Sequence, residues 1–425
     1  MILFTSLQKM NSNQSNFMKR MLSLLIDNPA FLFKFIRIIR QMNSEKMLPA
    51  NTSLCEVHGY INSTNRGELL KLSIIRILLD RMFLFRGQRP LNNRRNLAIV
   101  TLSRSFFGNE YPKISRTSIS FKYEIFGIAF HPNAPIFATS GMNKKVILSL
   151  FYPDGSTMKR QTTLAGHTNY VCSIAFHPTA PFLATGSGDK TAKLWRLSPD
   201  CSAATCVATL AGHSKTVCSV AFHPTAPILA TGSDDETAKL WRLSPDGSAA
   251  TCVATLAGHT ECIRSVAFCP TAPILATSSF DNTVKLWRLS PDGSAATCVA
   301  TLKGDNGFFS VAFHPTAPIL ATGSFDNTAK LWRLSPDGSA ANCVATLTGH
   351  TDYVCSIAFH PTAPILATGS GDKTAKLWRL SPDCSDATCV ATLEGHRSCV
   401  RSVAFHPTAP ILATGSGDKT AKLWR

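Results

Sequence analysis

Histidine, threonine and aspartate recur together in this sequence at fixed separations. His167, Thr185 and Asp189 are followed by Trp195, and the same residue types return at matching intervals along the chain. A hydroxyl, an imidazole and a carboxylate are the groups of a nucleophilic triad. An active site is normally unique in a subunit, whereas this set repeats, so we expect structural residues and no enzyme. The other members are His213, Thr231, Asp235, Trp241, His259, Thr277, Asp281, Trp287, Thr322, Asp326, Trp332, His350, Thr368, Asp372, Trp378, His396, Thr414, Asp418 and Trp424.

These residues belong to a repeated unit of 45 or 46 residues. All six tryptophans stand in KLWR, and the residues ATGSGDKTAKLWR occur at 184–196, 367–379 and 413–425. A second marker, AF followed by His or Cys and then Pro, occurs seven times, first with His131. The chain therefore contains seven units, of which the first is degenerate, with Ser149 in place of the tryptophan.

Each unit contains four short stretches that are typical of β-strands, rich in β-branched or aromatic residues and bounded by Gly, Pro, Asp or Ser. One unit shows them as YVCSIAF, PFLAT, TAKLWRL and TCVATL. No helical periodicity of useful length appears between 121 and 425. Four strands in one such unit match one blade of a β-propeller. The sequence predicts an all-β, seven-bladed propeller over 113–425, preceded by a basic region, 1–110, that we expect to be helical.

The unit LAGHTNYVCSIAFHPTAPFLATGSGDKTAKLWR (164–196) resembles a WD40 repeat, with its Gly-His opening and its closing Trp. The resemblance covers about three quarters of the chain. It implies that the Trp, hydroxyl, His and Asp of each unit form a chain of hydrogen bonds that holds the blade together and keeps its buried polar groups paired. The family's Trp-Asp is uniformly Trp-Arg here, at Arg196, Arg242, Arg288, Arg333, Arg379 and Arg425.

Unit five departs from this pattern, and the last unit is one strand short. KGDNGFFSVAF places Asp305 where other units have His and is one residue shorter, so we expect a looser loop there. No outer strand follows Arg425, and an open sheet edge would invite aggregation. The resemblance implies that an upstream strand closes the ring. KISRTSISF (113–121) stands at the expected spacing and is favoured over NLAIVTL (96–102).

The units differ from one another mainly in two loops, which in the WD40 family share one face of the ring. Units four and five would place Phe280, Phe308, Phe309 and Phe325 near one another, with Arg264 beside them. Aromatic residues and Arg are enriched where proteins bind each other, so we expect a partner contact here. The alternative is divergence among duplicated units, or packing of each Phe under its own loop. Further residues of this face are Tyr170, Tyr353, Arg397 and Arg401.

Eight of the fourteen cysteines recur at two fixed positions of the units, and no CxxC pair is present, so neither a metal site nor a disulfide framework is predicted. We expect free thiols that pack as small apolar residues on strands. Such thiols fit a reducing compartment inside the cell, the cytoplasm first and the nucleus second. No cofactor or small-molecule substrate is expected, and no apolar run reaches the ~18 residues that span a bilayer.

The basic character of the chain lies mainly in its first quarter. The net charge is +17, and residues 1–120 hold 18 Lys or Arg against 6 Asp or Glu. Residues 31–42 resemble a basic amphipathic helix that could lie on an anionic membrane or in a partner's groove, and 67–85 a second, largely apolar helix. The alternative is a small helical bundle. The basic loop 86–96 lacks interleaved aromatic residues and is a weak signal for nucleic acid.

The sequence therefore favours a non-catalytic scaffold or adaptor that binds one or more proteins. A first alternative is a platform tethered to a membrane or to nucleic acid by residues 1–110. A second is the substrate receptor of a ubiquitin ligase, although the WDxR motif of some such receptors is absent because Arg directly follows each Trp. A propeller enzyme is least favoured, since no unique carboxylate pair, metal cluster or phosphate loop is present in the sequence.

Overall fold

The strands form seven antiparallel, four-stranded sheets arranged as the blades of a propeller. This computed structural model describes residues 116–151, 158–335 and 337–425, all of which lie in one unit, Pro112–Arg425. These three segments contain 28 strands and no helix, and therefore no helix that could cross a membrane. The predicted seven-bladed, all-β fold is confirmed. The helices predicted at 31–42 and 67–85 lie outside the described residues.

Blades one to six each consist of four consecutive strands, every one paired with the next along the chain. Each strand is short because turn-forming Gly, Pro, Asp and Ser residues close it. Blades one to three contain β2 (Ile125–Phe130), β3 (Ile136–Gly141), β4 (Lys145–Phe151), β5 (Met158–Ala165); β6 (Val171–Phe176), β7 (Phe182–Ser187), β8 (Thr191–Leu197), β9 (Ala204–Ala211); and β10 (Val217–Phe222), β11 (Ile228–Ser233), β12 (Ala238–Leu243), β13 (Ala250–Leu256). Blades four to six contain β14 (Ile263–Phe268), β15 (Ile274–Ser279), β16 (Thr283–Leu289), β17 (Ala296–Lys303); β18 (Phe308–Phe313), β19 (Ile319–Ser324), β20 (Ala329–Leu334), β21 (Ala341–Leu347); and β22 (Val354–Phe359), β23 (Ile365–Ser370), β24 (Ala375–Leu380), β25 (Ala387–Leu393).

Blade seven takes its outer strand from upstream of blade one. Its first three strands are β26 (Val400–Phe405), β27 (Leu412–Ser416) and β28 (Thr420–Trp424), and β1 (Arg116–Ser120) pairs with β28. The structure thus places part of the favoured segment, 113–121, at the open edge, where its backbone groups satisfy those of the last strand. The competing segment, 96–102, lies outside the described residues.

The first strand of each blade lines the centre of the ring. Neighbouring first strands contact one another in order from β2 to β26, and β26 contacts β2. A β-bulge shifts the register of each of these strands, and beyond it, in blades one and three to seven, a backbone N–H donates to a serine on the preceding blade. Val220 donates in this way to Ser173 Oγ over 3.1 Å, and Ile128 to Ser402 Oγ over 3.0 Å, which joins blade one to blade seven.

The core lies between neighbouring blades, since both faces of each sheet are covered. Trp241 and Leu229 of blade three, for example, pack in one cluster with Leu194 and Leu210 of blade two. The second strand of a blade, ILATGS in β11, is buried along its whole length and consists mostly of small residues. A Cβ on Gly232 would lie only 2.7 Å from Ile263 Cγ2 of blade four, which explains the glycine.

In blades two to five the arginine that follows the tryptophan links the blade to the next one. Arg242 Nη2 donates to the backbone carbonyl of Asp292 in the next blade over 2.8 Å, and lies 3.5 Å from the Asp292 carboxylate. The same donation recurs in the pairs Arg196–Asp246, Arg288–Asp337 and Arg333–Asp383. An aspartate at this position could not donate to a carbonyl. The departure from Trp-Asp to Trp-Arg, for which the sequence suggested no role, therefore adds a contact between blades.

Candidate interaction surface at one rim of the ring

Each complete set of Trp, Thr, His and Asp forms one continuous chain of hydrogen bonds. In blade two the Trp195 indole N–H donates to Thr185 Oγ1 over 3.0 Å. Thr185 Oγ1 lies 2.7 Å from His167 Nε2, and His167 Nδ1 lies 2.7 Å from Asp189 Oδ2. The Thr185 side chain is fully buried. Its hydroxyl therefore cannot reach a substrate, and this set does not act as a nucleophilic triad.

The same chain is present in blades three, four, six and seven. In these blades the Thr–His distance is 2.7 or 2.8 Å, the His–Asp distance 2.6 to 2.9 Å and the Trp–Thr distance 2.9 Å. The structure therefore brings together all four members of each set, which are His213, Thr231, Asp235 and Trp241; His259, Thr277, Asp281 and Trp287; His350, Thr368, Asp372 and Trp378; and His396, Thr414, Asp418 and Trp424.

Burial and hydrogen bonding together determine the protonation states along this chain. It lowers the pKa of His167, although the hydrogen bond and the charge of Asp189 act in the opposite direction. Burial also raises the pKa of Asp189, but hydrogen bonds from Thr191, His167 and the Thr168 backbone outweigh it, so that this pKa is lowered. Near neutral pH the imidazole is uncharged and the carboxylate is ionised. The Nδ1 proton then faces Asp189, and Nε2 accepts the Thr185 hydroxyl proton.

A tight turn between the second and third strands places the aspartate. Asp189 N–H donates to Ser187 Oγ over 3.1 Å, and the next residue, Lys190, has a φ of 71°, in the left-handed region. Asp189 Oδ2 accepts the backbone N–H of Thr168, in the loop ahead of the first strand, over 3.0 Å. The aspartate thus ties this loop to the turn at one end of the blade. We call this end of the ring the variable rim.

Three positions of each blade make up the variable rim: the residue ahead of the first strand, the residue two further along, and the residue before the turn aspartate, which is Asn143 in blade one. In all seven blades the third donates its backbone N–H to the carbonyl of the first, over 2.9 to 3.3 Å. In order from blade one to blade seven, the three positions hold Glu124, Phe126, Met142; Tyr170, Cys172, Gly188; Thr216, Cys218, Asp234; Cys262, Arg264, Phe280; Gly307, Phe309, Phe325; Tyr353, Cys355, Gly371; and Cys399, Arg401, Gly417.

Four rings from blades four, five and six meet at this rim and form what we call the aromatic patch: Phe280, Phe309, Phe325 and Tyr353. The Phe309 ring centroid lies 4.2 Å from that of Phe325 and 5.0 Å from those of Phe280 and Tyr353. Phe325 lies 5.0 Å from Phe280 and 5.9 Å from Tyr353. Phe325 is 43% exposed and the other three rings are half-buried. Tyr353, which the sequence placed elsewhere on this face, therefore joins the predicted phenylalanines.

Arg264 borders the aromatic patch on blade four, as predicted. Its guanidinium carbon lies 5.2 Å from the centroid of the Phe280 ring, and Nη1 lies 3.3 Å from Asp234 Oδ1 of blade three. The same carboxylate oxygen accepts the Cys218 thiol proton over 2.9 Å. A cation held over a ring in this way is attracted to the ring's negative face. The patch therefore has a positively charged edge whose position is fixed by Asp234.

A second, smaller group lies where blades one, two and seven meet. The Arg401 guanidinium carbon lies 5.0 Å from the Phe126 ring centroid, and Phe126 packs edge-on against Tyr170 at 5.9 Å. Arg401 Nη2 also lies 3.4 Å from Glu124 Oε2. The sequence analysis missed Phe126. Aligning the degenerate first unit would have found it, because Phe126 occupies the repeat position of Arg264, Phe309 and Arg401.

The expected role of Phe308 in partner contact is wrong. Its side chain is fully buried and packs in a core cluster with Trp332. Phe308 pairs with Ser324 across the sheet, as Val171 pairs with Ser187 in blade two, so it occupies a core position of the repeat. Neighbouring residues of a strand point to opposite sides, which turns Phe309 toward the rim and Phe308 into the core. Arg397 is exposed, and its backbone N–H donates to Asp418 Oδ2 over 2.9 Å.

Blade five compensates for its missing imidazole. The Trp332 indole N–H still donates to Thr322 Oγ1 over 2.9 Å, and Asp326 Oδ2 pairs instead with Lys330 Nζ at 3.2 Å. The shortened loop was expected to be looser, but Gly304 N–H donates to the carbonyl of Asn282 in blade four over 2.9 Å. A Cβ on Gly304 would lie 2.5 Å from Phe308, so the ring packs directly under this loop. The loop is therefore anchored.

The cysteines do not all pack as small apolar residues, as the sequence suggested. All thirteen in the described segments are free thiols, and five lie exposed on outer strands. An outer strand is covered on fewer sides than an inner one, and each of these thiols stands across a bulge from the buried tryptophan of its blade. They are Cys206, Cys252, Cys298, Cys343 and Cys389. Within the same segments, no three His, Cys, Asp or Glu side chains are placed to hold a metal ion.

Comparison with known families agrees with this geometry. A family model described as WD domain, G-beta repeat matches six segments of the chain, each of which begins in the outer strand of one blade and ends at the Trp-Arg of the next. No curated protein matches the chain. The matched segments are 158–196, 204–242, 250–288, 296–333, 341–379 and 387–425, more than half of all residues. The chain therefore belongs to the WD40 family of β-propellers, a fold that typically serves as a protein-interaction scaffold.

Proposed function

We propose that this ring is a rigid, non-catalytic scaffold for protein–protein contacts and that the aromatic patch, with Arg264 at its edge, is the contact surface. The observation that supports this most is the meeting of four aromatic rings, from three blades, at one rim of the ring. Apolar surface that a fold leaves open usually marks an interaction site. Aromatic residues and Arg also dominate binding hot spots.

The rigidity of the rim favours binding. Phe280 and Phe325 lie on tight turns whose backbone N–H groups donate to Cys262 and Gly307 over 3.1 and 3.0 Å. Phe309 lies on strand β18, which is paired along its length with β19. Side chains that are already ordered in the free protein lose little conformational entropy when a partner binds. The patch therefore fits a partner that inserts an apolar or aromatic side chain and approaches Arg264 with an acidic group.

Capture of binding partners by the full chain tests this proposal. The wild-type chain and a Phe280→Ala/Phe325→Ala variant are compared by quantitative pull-down, with Met142→Ala as the matched control. Met142 occupies the same repeat position in blade one and is also exposed. We expect recovery of bound proteins to fall at least about tenfold for the double variant, the effect of losing a hot spot, and to stay unchanged for Met142→Ala. Equal recovery by all three proteins would reject the assignment of the contact surface.

We further propose that the protein acts inside the cell, the cytoplasm first and the nucleus second. The support is chemical. Five exposed cysteines on outer strands would pair with other thiols in an oxidising compartment, whereas a reducing one keeps them free. Fluorescence microscopy of the tagged full chain would test the location, and secretion of the tagged protein would contradict it. Tethering by residues 1–110 concerns residues outside the described part of the chain and stays a prediction.

A further inference from the structure

Two cysteines of the variable rim lie side by side across the boundary between blades six and seven. Cys355 is on strand β22 and Cys399 directly precedes β26, and their sulfur atoms are 3.5 Å apart. Cys355 Sγ also lies 3.0 Å from the Val400 carbonyl of blade seven, which holds the thiol at the boundary. Both are free thiols. A disulfide bond is about 2.0 Å long, so the two sulfurs need to approach by only about 1.5 Å.

The surroundings of Cys399 stabilise its thiolate. A hydrogen bond from the Cys355 thiol, a second from the Tyr353 hydroxyl and the positive charge of Arg401 lower the pKa of Cys399 to about 7, although burial and the charge of Asp352 act against them. The same hydrogen bond and burial raise the pKa of Cys355. One sulfur is therefore a nucleophile near neutral pH, and its neighbour remains a protonated thiol. This is the arrangement of an attacking cysteine with a resolving partner.

Cys172 and Cys218, between blades two and three, provide an internal contrast. They occupy the same rim position in their blades as Cys355 does in blade six. The Cys218 thiol donates to Asp234 Oδ1 over 2.9 Å, and Arg264 Nη1 donates to the same carboxylate oxygen. Burial raises the pKa of Cys172 to about 12, and burial, with the charges of Cys172 and Asp234, raises that of Cys218 as well. These thiols should stay protonated and unreactive.

We propose that Cys355 and Cys399 form a reversible disulfide between blades six and seven when the protein meets hydrogen peroxide. The Cys399 thiolate attacks one peroxide oxygen, the O–O bond breaks, and hydroxide leaves, which produces a sulfenic acid on Cys399. The Cys355 sulfur then attacks the Cys399 sulfur, the S–O bond breaks, and the thiol proton leaves with the hydroxyl as water. The two cysteines together lose two electrons and the peroxide gains two. A dithiol reductant reverses the reaction by thiol–disulfide exchange.

The bond would lie beside the aromatic patch. Tyr353 belongs to the patch and also hydrogen-bonds to Cys399. Disulfide formation removes the thiolate that accepts this bond. Oxidation of Cys399 would therefore remove a hydrogen bond of Tyr353, one of the four residues of the aromatic patch.

Peptide mass spectrometry on the full chain tests the proposal. The reduced protein is treated with hydrogen peroxide, its remaining thiols are alkylated, and it is digested with trypsin without reduction. The tryptic peptide 398–401 contains Cys399 alone, and the peptide 334–373 contains Cys343 and Cys355. We expect these two peptides to be recovered as one disulfide-linked species that disappears after treatment with dithiothreitol. Its yield should exceed that of a Cys172–Cys218 link at least about tenfold, because thiolate and not thiol is the reactive form.

Two variants make the result decisive. In Cys355→Ser the linked species should vanish although Cys343 remains, and the sulfenic acid on Cys399 should become trappable by dimedone. In Cys399→Ser the linked species should also vanish, and Cys355 should be recovered in its alkylated form. Circular dichroism confirms that each variant retains its β-sheet fold. Recovery of peptide 398–401 as free, alkylated thiol at the same peroxide concentration would overturn the proposal, as would a link that survives in Cys355→Ser.

Discussion

Blades five and six have nearly the same sequence but stabilise the loop ahead of their first strand differently. In blade six a chain of hydrogen bonds runs from Trp378 through Thr368 to His350 and Asp372. Blade five has no histidine at this place. There the buried ring of Phe308 packs under the loop, and a lysine pairs with the turn aspartate. One blade uses a buried polar network, and the other an apolar side chain with an ion pair.

The comparison indicates that the polar network is one of several ways to hold the same backbone. The sheet of blade five retains the bulge and register of its neighbours, so the fold tolerates the loss of one network member. A buried polar group is costly only while it lacks a partner, and blade five has removed the histidine together with the need for it. The same blade carries Phe309 and Phe325, so the departure from the repeat coincides with the surface we propose for binding.

Removal of the central threonine hydroxyl should give the largest difference between blades six and five in the loss of stability. Thr368→Val leaves both His350 Nε2 and Trp378 Nε1 buried without their partner, whereas Thr322→Val in blade five affects only Trp332. At about 1–3 kcal/mol for each unpaired buried group, we expect losses of about 3 kcal/mol in blade six and about 1.5 kcal/mol in blade five. Urea unfolding followed by tryptophan fluorescence measures both. Equal losses would show that the histidine contributes nothing to the network.

Truncation of Phe308, which fills the place of the imidazole in blade five, should give the next largest difference in stability. Phe308→Val introduces the residue that blades two, three, six and seven carry at this position, but without the imidazole that accompanies it there. The resulting cavity should cost about 2 kcal/mol. Ile263→Val in blade four is the control and should cost about 1 kcal/mol, since its histidine network is intact. A cost for Phe308→Val no larger than for the control would mean that the ring does not replace the imidazole.

The histidine of the network should also make the stability of the protein depend on pH. Blade six contributes to this dependence through His350, whereas blade five has no histidine at the equivalent position. Burial lowers the pKa of His350 below its ordinary value of 6.5, although the hydrogen bond that it donates to Asp372 acts in the opposite direction. Below about pH 6.5 the unfolded chain therefore binds a proton that the folded chain does not, and stability falls as the pH falls. His350→Gln should remove at most ~1.4 kcal/mol per pH unit from this slope. Urea midpoints of both proteins between pH 5 and 8 measure it, and parallel curves would contradict the prediction.

Loss of the Lys330–Asp326 ion pair should give the smallest difference in stability between the two blades. Lys330 and Asp326 are both mostly buried at their contact, so Lys330→Met should cost about 0.5–1 kcal/mol. The equivalent Lys376 of blade six donates only to the exposed Thr392 Oγ1, over 3.0 Å, and Lys376→Met should be nearly neutral. Differential scanning calorimetry of the two variants compares them. The ion pair would have no role in blade five if both midpoints matched that of the wild type.

The aromatic patch was only partly predictable. The proximity of Phe280, Phe309 and Phe325 followed from their repeat positions in neighbouring units. The inward direction of Phe308 was missed because the loop ahead of it is one residue short; alignment from the following SVAF places Phe308 at the repeat position of Val171, which is a core position. Tyr353 joined the patch because its blade is the next one around the ring. The Cys355–Cys399 pair was likewise hidden, since 44 residues separate the two in sequence.

The sequence by itself determined the number of blades, the four strands of each and the residues of the hydrogen-bonded sets. Strand patterns, turn residues and a fixed repeat length are local properties that need no knowledge of the neighbours. The tertiary structure alone decided other contacts across blade boundaries: the arginine links, the shared core, the place of Tyr353 in the aromatic patch and the cysteine pair. These contacts arise when separate sheets close into a ring, which brings together residues that no local pattern relates.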